Sequence, residues 1–202
     1  MIRLLESSMQ VASYSLDQFS ADAERIVRQN STESDMMRNI KPLLEKLLMS
    51  NGVPADAFKT RQDRFAMNLL HMPKDRVFSI IGGVWKPGQT TPIHDHLTWA
   101  LIGMYEGEER EAIYRRLDDG SDPKRARLEK VSEKVNGKGH VTVLGQAGIH
   151  KVDNVSDKIA KSIHVYGIDI GNTERHSYDP VTGEIGAFLS GYCNVLRDTD
   201  PF

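Results

Sequence analysis

The chain has 202 residues, 39% hydrophobic and 27% charged, with a formal net charge of −2; this composition is ordinary for a globular protein and offers no positive field to draw nucleic acid or an anionic membrane. The single cysteine, Cys193, excludes an intrachain disulfide and fits a reducing cytoplasm. With no apolar run near the ~20 residues of a membrane span, and no basic-then-apolar signal layout at the N-terminus, the expectation is a cytoplasmic enzyme or small-molecule-binding protein of open oligomeric state.

Residues 1–55 read as helical. Ser15 caps a segment through Arg28, with Asp17, Asp22 and Glu24 early and Arg25 and Arg28 late, as the helix dipole favours. A second helix starts near Thr32, with Asp35 three residues on. Its apolar positions Met36, Met37, Ile40, Leu43, Leu44, Leu47 and Leu48 keep helical spacing until Asn51-Gly52. Pro42 either kinks this helix or marks a later start.

From about residue 60 the pattern changes to short strands. Phe65, Met67, Leu69 and His71 share one parity, and Val77 to Ile81 is a short apolar run. Alternating stretches at 108–117 and 127–135 flank the turn cluster Asp118-Asp-Gly-Ser-Asp-Pro123, and Asn136-Gly137 is a hairpin signal. Further strands are expected at 140–144, 150–154, 162–169 and 186–192. The chain therefore reads as mainly β, one domain over 1–202 with a barrel over 60–192 and N-terminal helices packed outside. The basic residues at 124–130, interleaved with Glu129, read as a solvated hairpin.

Within this region His94-Asp95-His96 is the most informative stretch. On a strand His94 and His96 project to one side and Asp95 to the other, so two neutral imidazoles can hold one transition metal. His150, in Gly148-Ile-His150-Lys-Val-Asp-Asn154, is the candidate third ligand. These stretches resemble the paired motifs of the cupin β-barrel superfamily. Gly88, His94, His96 and Gly107 match the first motif; Gly139, His150 and Asn154 match the second, with Gly145 and Ala147 in place of its Pro and Gly. The glutamate slot of the first motif holds Ala100, with Leu101 beside it. Three histidines without that carboxylate leave the full metal charge and open positions for an anionic ligand such as a thiolate.

A second constellation is Ser162-Ile-His164-Val-Tyr166. Period two places the serine, histidine and tyrosine on one strand face, either as a structural polar row or as a proton relay beside the metal. Together with the segments at 92–96 and 149–154, it resembles the bacterial thiol dioxygenases of the cysteine dioxygenase family, closest to the 3-mercaptopropionate dioxygenase type. The resemblance spans roughly residues 60–192. It implies one Fe(II) per chain on the three histidines, an outer-sphere role for the Ser-His-Tyr row, and a small thiol and O2 as substrates, converted to a sulfinic acid.

Two positions bear on substrate. Mammalian-type members carry a cysteine beside the metal that bonds to the tyrosine; Ala100 stands there, or Leu101 if the match slips by one, so no crosslink to Tyr166 can form. The substrate-binding arginine or glutamine of an early strand aligns with Met67. The arginine that bacterial members carry nine residues after the tyrosine is matched by Arg175, either a carboxylate handle or a surface arginine. A thiol carboxylate such as 3-mercaptopropionate or mercaptosuccinate is expected, with L-cysteine as the alternative. Rival readings are a zinc or nickel cupin enzyme and a non-catalytic small-molecule-binding cupin. His71, His140 and His176 read as ordinary surface or loop histidines and Cys193 as a small hydrophobe. Trp85 and Trp99 read as barrel packing, with Trp99 a candidate pocket wall.

Overall fold

The computed structural model describes residues 14–195. Helix α1 (Leu16–Gln29) starts at Ser15, whose side chain accepts from the Gln18 amide while the Gln18 side chain accepts from the Ser15 amide. Helix α2 (Glu33–Leu48) starts at Thr32, whose hydroxyl accepts from the Asp35 amide. It passes through Pro42 without ending or restarting. Arg38 and Pro42 are both exposed, so the carbonyl that proline leaves without a donor is not trapped in a dry interior.

Eleven strands follow among the described residues. In chain order they are β1 (Ala66–His71), β2 (Ser79–Trp85), β3 (Ile93–Asp95), β4 (Ala100–Glu106), β5 (Glu108–Arg116) and β6 (Leu128–Gly137). Then come β7 (Val141–Leu144), β8 (Ile149–Asp153), β9 (Ala160–Tyr166), β10 (Arg175–Tyr178) and β11 (Ile185–Phe188). They form two antiparallel sheets, ordered β1-β2-β9-β4-β7 and β11-β10-β3-β8-β5-β6. The molecule is mainly β with helices outside, as expected. No helix among the described residues is long and apolar enough to cross a membrane.

Strand parity sorts the apolar residues into layers. Ile163 and Val165 of β9, Leu101 of β4 and Ile80 of β2 meet Leu44, Leu47 and Leu48 of α2 on the outer face of the five-stranded sheet. A Cβ on Gly103 would lie 2.6 Å from Leu48 Cδ1, so glycine sets how closely α2 approaches β4. The opposite face of that sheet, with Ile81, Trp85, Ile102 and Met104, packs toward Val152 of the second sheet. The site lies in this inter-sheet layer.

The strand reading changes in four places. Asn136-Gly137 is not a hairpin turn: both lie in β6, opposite Glu109 and Glu108. The chain instead reverses at Gly139, whose φ is 87°, and β7 joins the other sheet beside β4. Strand β4 was not expected, because both of its faces are covered, by helices and by the second sheet, which erases alternation. Strand β10, Arg-His-Ser-Tyr, was missed because its polar side chains are held by partners across the fold; β11 is shorter than the strand expected at 186–192.

Candidate metal centre

Register brings the three histidines together. His94 of β3 lies opposite His150 of β8, and His96 follows directly after β3. Leu97, with φ at 58°, then turns the chain sharply away. The rings pack at centroid distances of 5.0 Å (His94–His96), 4.7 Å (His94–His150) and 4.9 Å (His96–His150). One nitrogen from each lies within 4.8 Å of the others, and all three residues are buried.

Their protonation suits a ligand set. Burial and the neighbouring His150 hold the His94 and His96 imidazoles well below the usual histidine range, so both are neutral with a lone pair available. His94 Nδ1 donates to the Pro92 carbonyl at 3.0 Å and His150 Nδ1 to Glu111 Oε1 at 2.8 Å, leaving both Nε2 atoms for another partner. Neither ring nitrogen of His96 has a hydrogen-bond partner among the described residues. An unpaired buried imidazole is costly in a dry interior, and a transition metal at the shared point would satisfy all three rings. An all-nitrogen set suits such a metal and not Ca²⁺ or Mg²⁺.

Sequence reasoning missed the carboxylate behind His150. Glu111 is almost fully buried on β5 and also accepts from Asn136 Nδ2 (2.9 Å) and Thr142 Oγ1 (2.6 Å). Burial alone would raise its pKa, but the His150 contact and these two donors outweigh it and hold the carboxyl at about 2. Two residues away, buried Glu109 has an unpartnered Oε2, and burial with the charge of Glu111 pushes it up to about 8. The only available cue was that both glutamates share strand parity with Ile113.

Ala100 lies in the inter-sheet layer opposite Tyr166 on β9, while Leu101 faces the helices. The interior position of this pair thus carries only a methyl group. Ser162, His164 and Tyr166 line up on the inner face of β9, all buried. Ser162 Oγ and His164 Nε2 are 2.7 Å apart, as are His164 Nδ1 and the Tyr166 hydroxyl. Burial, with His150 nearby, pushes His164 down to about 3, so it is neutral and can donate through one nitrogen while accepting at the other. Burial raises the Tyr166 phenol, which stays protonated. Its ring lies 5.1 Å from that of His96.

His94, His150, His164 and Tyr166 line a narrow cavity together with Met67 and Arg175. Met67 faces inward, as its parity implied. Arg175 is not a surface residue: it is 2% exposed, and its guanidinium lies 4.5 Å from the centre of the Phe188 ring. The Arg175 hydrogen bonds reach only neutral groups, the Ile170 carbonyl at 3.1 Å, the Thr173 carbonyl at 3.5 Å and Ser190 Oγ at 3.3–3.4 Å, and its Nε has no partner among the described residues. Trp85 and not Trp99 walls the cavity, stacked between Phe65 and His164 at 5.6 Å and 5.7 Å; Trp99 packs on the helix side. Of the remaining histidines, His71 lies 3.3 Å from Glu24, His140 lies 3.0 Å from Lys134 Nζ, and His176 donates to Asp95 at 2.8 Å, outside the cavity. Cys193 is half-buried against the helix-side core.

Among solved structures, a chain of oxalate oxidase with bound glycolate is 26% identical at a TM-score of 0.37, the overlap covering 46% of this chain and 42% of that one. A double-stranded β-helix protein from Klebsiella pneumoniae is 10% identical (TM-score 0.41, 65% and 90% covered). A cupin family protein from Methanocaldococcus jannaschii is 14% identical (TM-score 0.41, 55% and 86% covered). The chain spans less than two thirds of the oxalate oxidase it overlaps. The family model described as cysteine dioxygenase type I matches residues 8–178, most of the chain. The protein belongs to the cysteine dioxygenase type I family, a family of dioxygenase-type oxidoreductases.

Proposed function

We propose that the protein is a non-haem Fe(II) thiol dioxygenase of the 3-mercaptopropionate type, acting on a small thiol carboxylate. In the overall reaction RSH + O2 gives RSO2H: both oxygen atoms reach the sulfur, which is oxidised as O2 is reduced, and no outside reductant is consumed. His94, His96 and His150 would hold the iron, which supplies the one-electron chemistry that lets thiol and O2 combine.

The observation that carries the substrate assignment is a buried arginine without a carboxylate partner among the described residues, in the same cavity as His94 and His150. A buried guanidinium whose hydrogen-bonding partners are all neutral leaves a charge that a substrate carboxylate can neutralise through a two-pronged hydrogen bond. Among the described residues the cavity lining holds no acidic side chain, so nothing there receives a substrate ammonium. Met67, Phe65 and Trp85 make the rest of the wall apolar and exclude water. Tyr166 holds a proton at the cavity edge, and His164 with Ser162 fixes the direction of that hydroxyl.

The test is O2 uptake by Fe(II)-loaded protein with 3-mercaptopropionate, mercaptosuccinate, L-cysteine and cysteamine, alongside metal analysis. A thiol carboxylate without an amine should exceed L-cysteine in kcat/KM. Arg175→Ala should raise KM roughly 10- to 100-fold, the range of a charge-assisted hydrogen bond, and Arg175→Lys should recover only part of the loss. A preference for L-cysteine, or an unchanged KM in Arg175→Ala, overturns the substrate assignment and leaves the dioxygenase reading standing. Absence of turnover with every thiol overturns the reading itself.

A further inference from the structure

The position where the first cupin-like motif has a glutamate is filled by Ala100, yet one imidazole away from the three-histidine cluster a carboxylate is built in. Glu111 is 1% exposed, and three groups converge on its oxygens. His150 Nδ1 lies 2.8 Å from Oε1; Asn136 Nδ2 and Thr142 Oγ1 lie 2.9 Å and 2.6 Å from Oε2. Asn136 comes from β6 and Thr142 from β7, which belong to different sheets, so both sheets lock the carboxylate in place. Neither His94, whose Nδ1 meets a backbone carbonyl, nor His96, which has no such partner, is backed by a charge.

We infer that Glu111 is the positioning residue for His150 and returns to the metal, through that imidazole, the negative charge that Ala100 omits. This deepens the Fe(II) reading above and rests on it. A carboxylate accepting from Nδ1 fixes the tautomer that presents Nε2, holds the ring plane, and makes Nε2 a stronger electron donor. The ligand set is therefore unequal: His150 is the strong donor, His94 an intermediate one and His96 the weakest. A stronger donor favours the more oxidised metal, so Glu111 should lower the Fe(III)/Fe(II) potential as well as tighten binding.

Glu109 supplies an internal control. It is equally buried on the same face of the same strand, but its Oε2 has no hydrogen-bond partner, histidine or otherwise, among the described residues. The experiment uses Glu111→Gln, Glu111→Asp and Glu109→Gln in the full chain, measured without thiol: metal affinity by anaerobic Co(II) and Fe(II) titration, the Co(II) visible spectrum, and the iron midpoint potential. Glu111→Gln should weaken metal binding by roughly 10- to 100-fold, the range seen when such partners are removed, raise the potential and shift the Co(II) bands. Glu111→Asp, which keeps the charge, should fall between it and the parent and serves if the glutamine variant does not fold. Glu109→Gln should match the parent in all three readouts.

Parent-like affinity and potential in Glu111→Gln, or in Glu111→Asp where that variant stands in for it, overturn the inference. Equal losses in Glu109→Gln also overturn it, because they would assign the effect to packing. None of the three readouts uses a thiol, so the inference can hold where the substrate assignment fails. A His150→Ala variant with undiminished metal binding would instead overturn the metal-site reading beneath it.

Discussion

Among the described residues the Tyr166 hydroxyl has one hydrogen-bond partner, His164 Nδ1, and it lies outside the three-histidine cluster. Tyr166→Phe removes that hydroxyl from a proton-holding position and leaves the three imidazoles intact. Turnover should fall by about 10²-fold or more, the lower range for a positioned proton donor, with metal content unchanged. Unaltered kinetics would return the row to a structural role. Glu109 gives a separate expectation. Its carboxyl stays protonated in the fold up to about pH 8, whereas in the unfolded chain it ionises near 4.5. Between those values the folded state binds the extra proton, so its contribution to stability is full below pH 4.5 and is lost as pH rises toward 8, by about 1.4 kcal/mol per unit. Glu109→Gln removes that loss. Unfolding by urea should show the variant gaining on the parent progressively from pH 5 to 8; a pH-independent difference would mean that Glu109 is charged in the fold.

Among the elements, two glycines separate packing from chemistry. A Cβ on Gly83 of β2 would sit 2.3 Å from Trp85 Cζ3 and 3.0 Å from Ser162 Oγ, while one on Gly103 of β4 would meet α2 at Leu48. Trp85 is clamped between Phe65 and His164 and cannot yield without disturbing the row. Gly83→Ala should therefore lower both melting temperature and kcat. Gly103→Ala should cost about 1–3 kcal/mol from overpacking and leave kcat near the parent value. Equal effects on kcat would contradict this division. The same elements explain what could be read in the sequence. Helices α1 and α2 carried caps and one-sided apolar spacing, and β9 carried clean alternation, so their positions and the Ser-His-Tyr row were legible. Strand β4 is covered on both sides and shows no alternation, and β10 depends on partners distant in sequence. Glu111 looked like one more charge in an alternating stretch, because its burial comes from β7 and β8 folding over it.

For the whole molecule, metal binding is expected to stabilise the fold. A ligand held by the folded chain alone at 100 times its Kd adds about 2.7 kcal/mol, or roughly 5–10 °C in Tm for a chain of this size. Thermal unfolding with and without anaerobic Fe(II) measures this, and an unchanged Tm at saturating metal would count against the three-histidine site. His164 adds an acid limit: its folded pKa of about 3 lies below the ordinary value of 6.5, so the unfolded chain takes up a proton first and stability falls as pH drops from 6.5 toward 3.

The two halves of the site hang from different walls. His94 and His150 project from the six-stranded sheet, and Ser162, His164 and Tyr166 project from the five-stranded one. The gap between the walls is set by side chains that take no part in the chemistry, Ile81, Ile102, Met104 and Val152 among them. These residues act as shims. A thinner or thicker shim moves the proton-bearing wall relative to the metal-facing wall while every site residue keeps its identity, so the tuning of the enzyme is written partly in the bulk of its hydrocarbon filling.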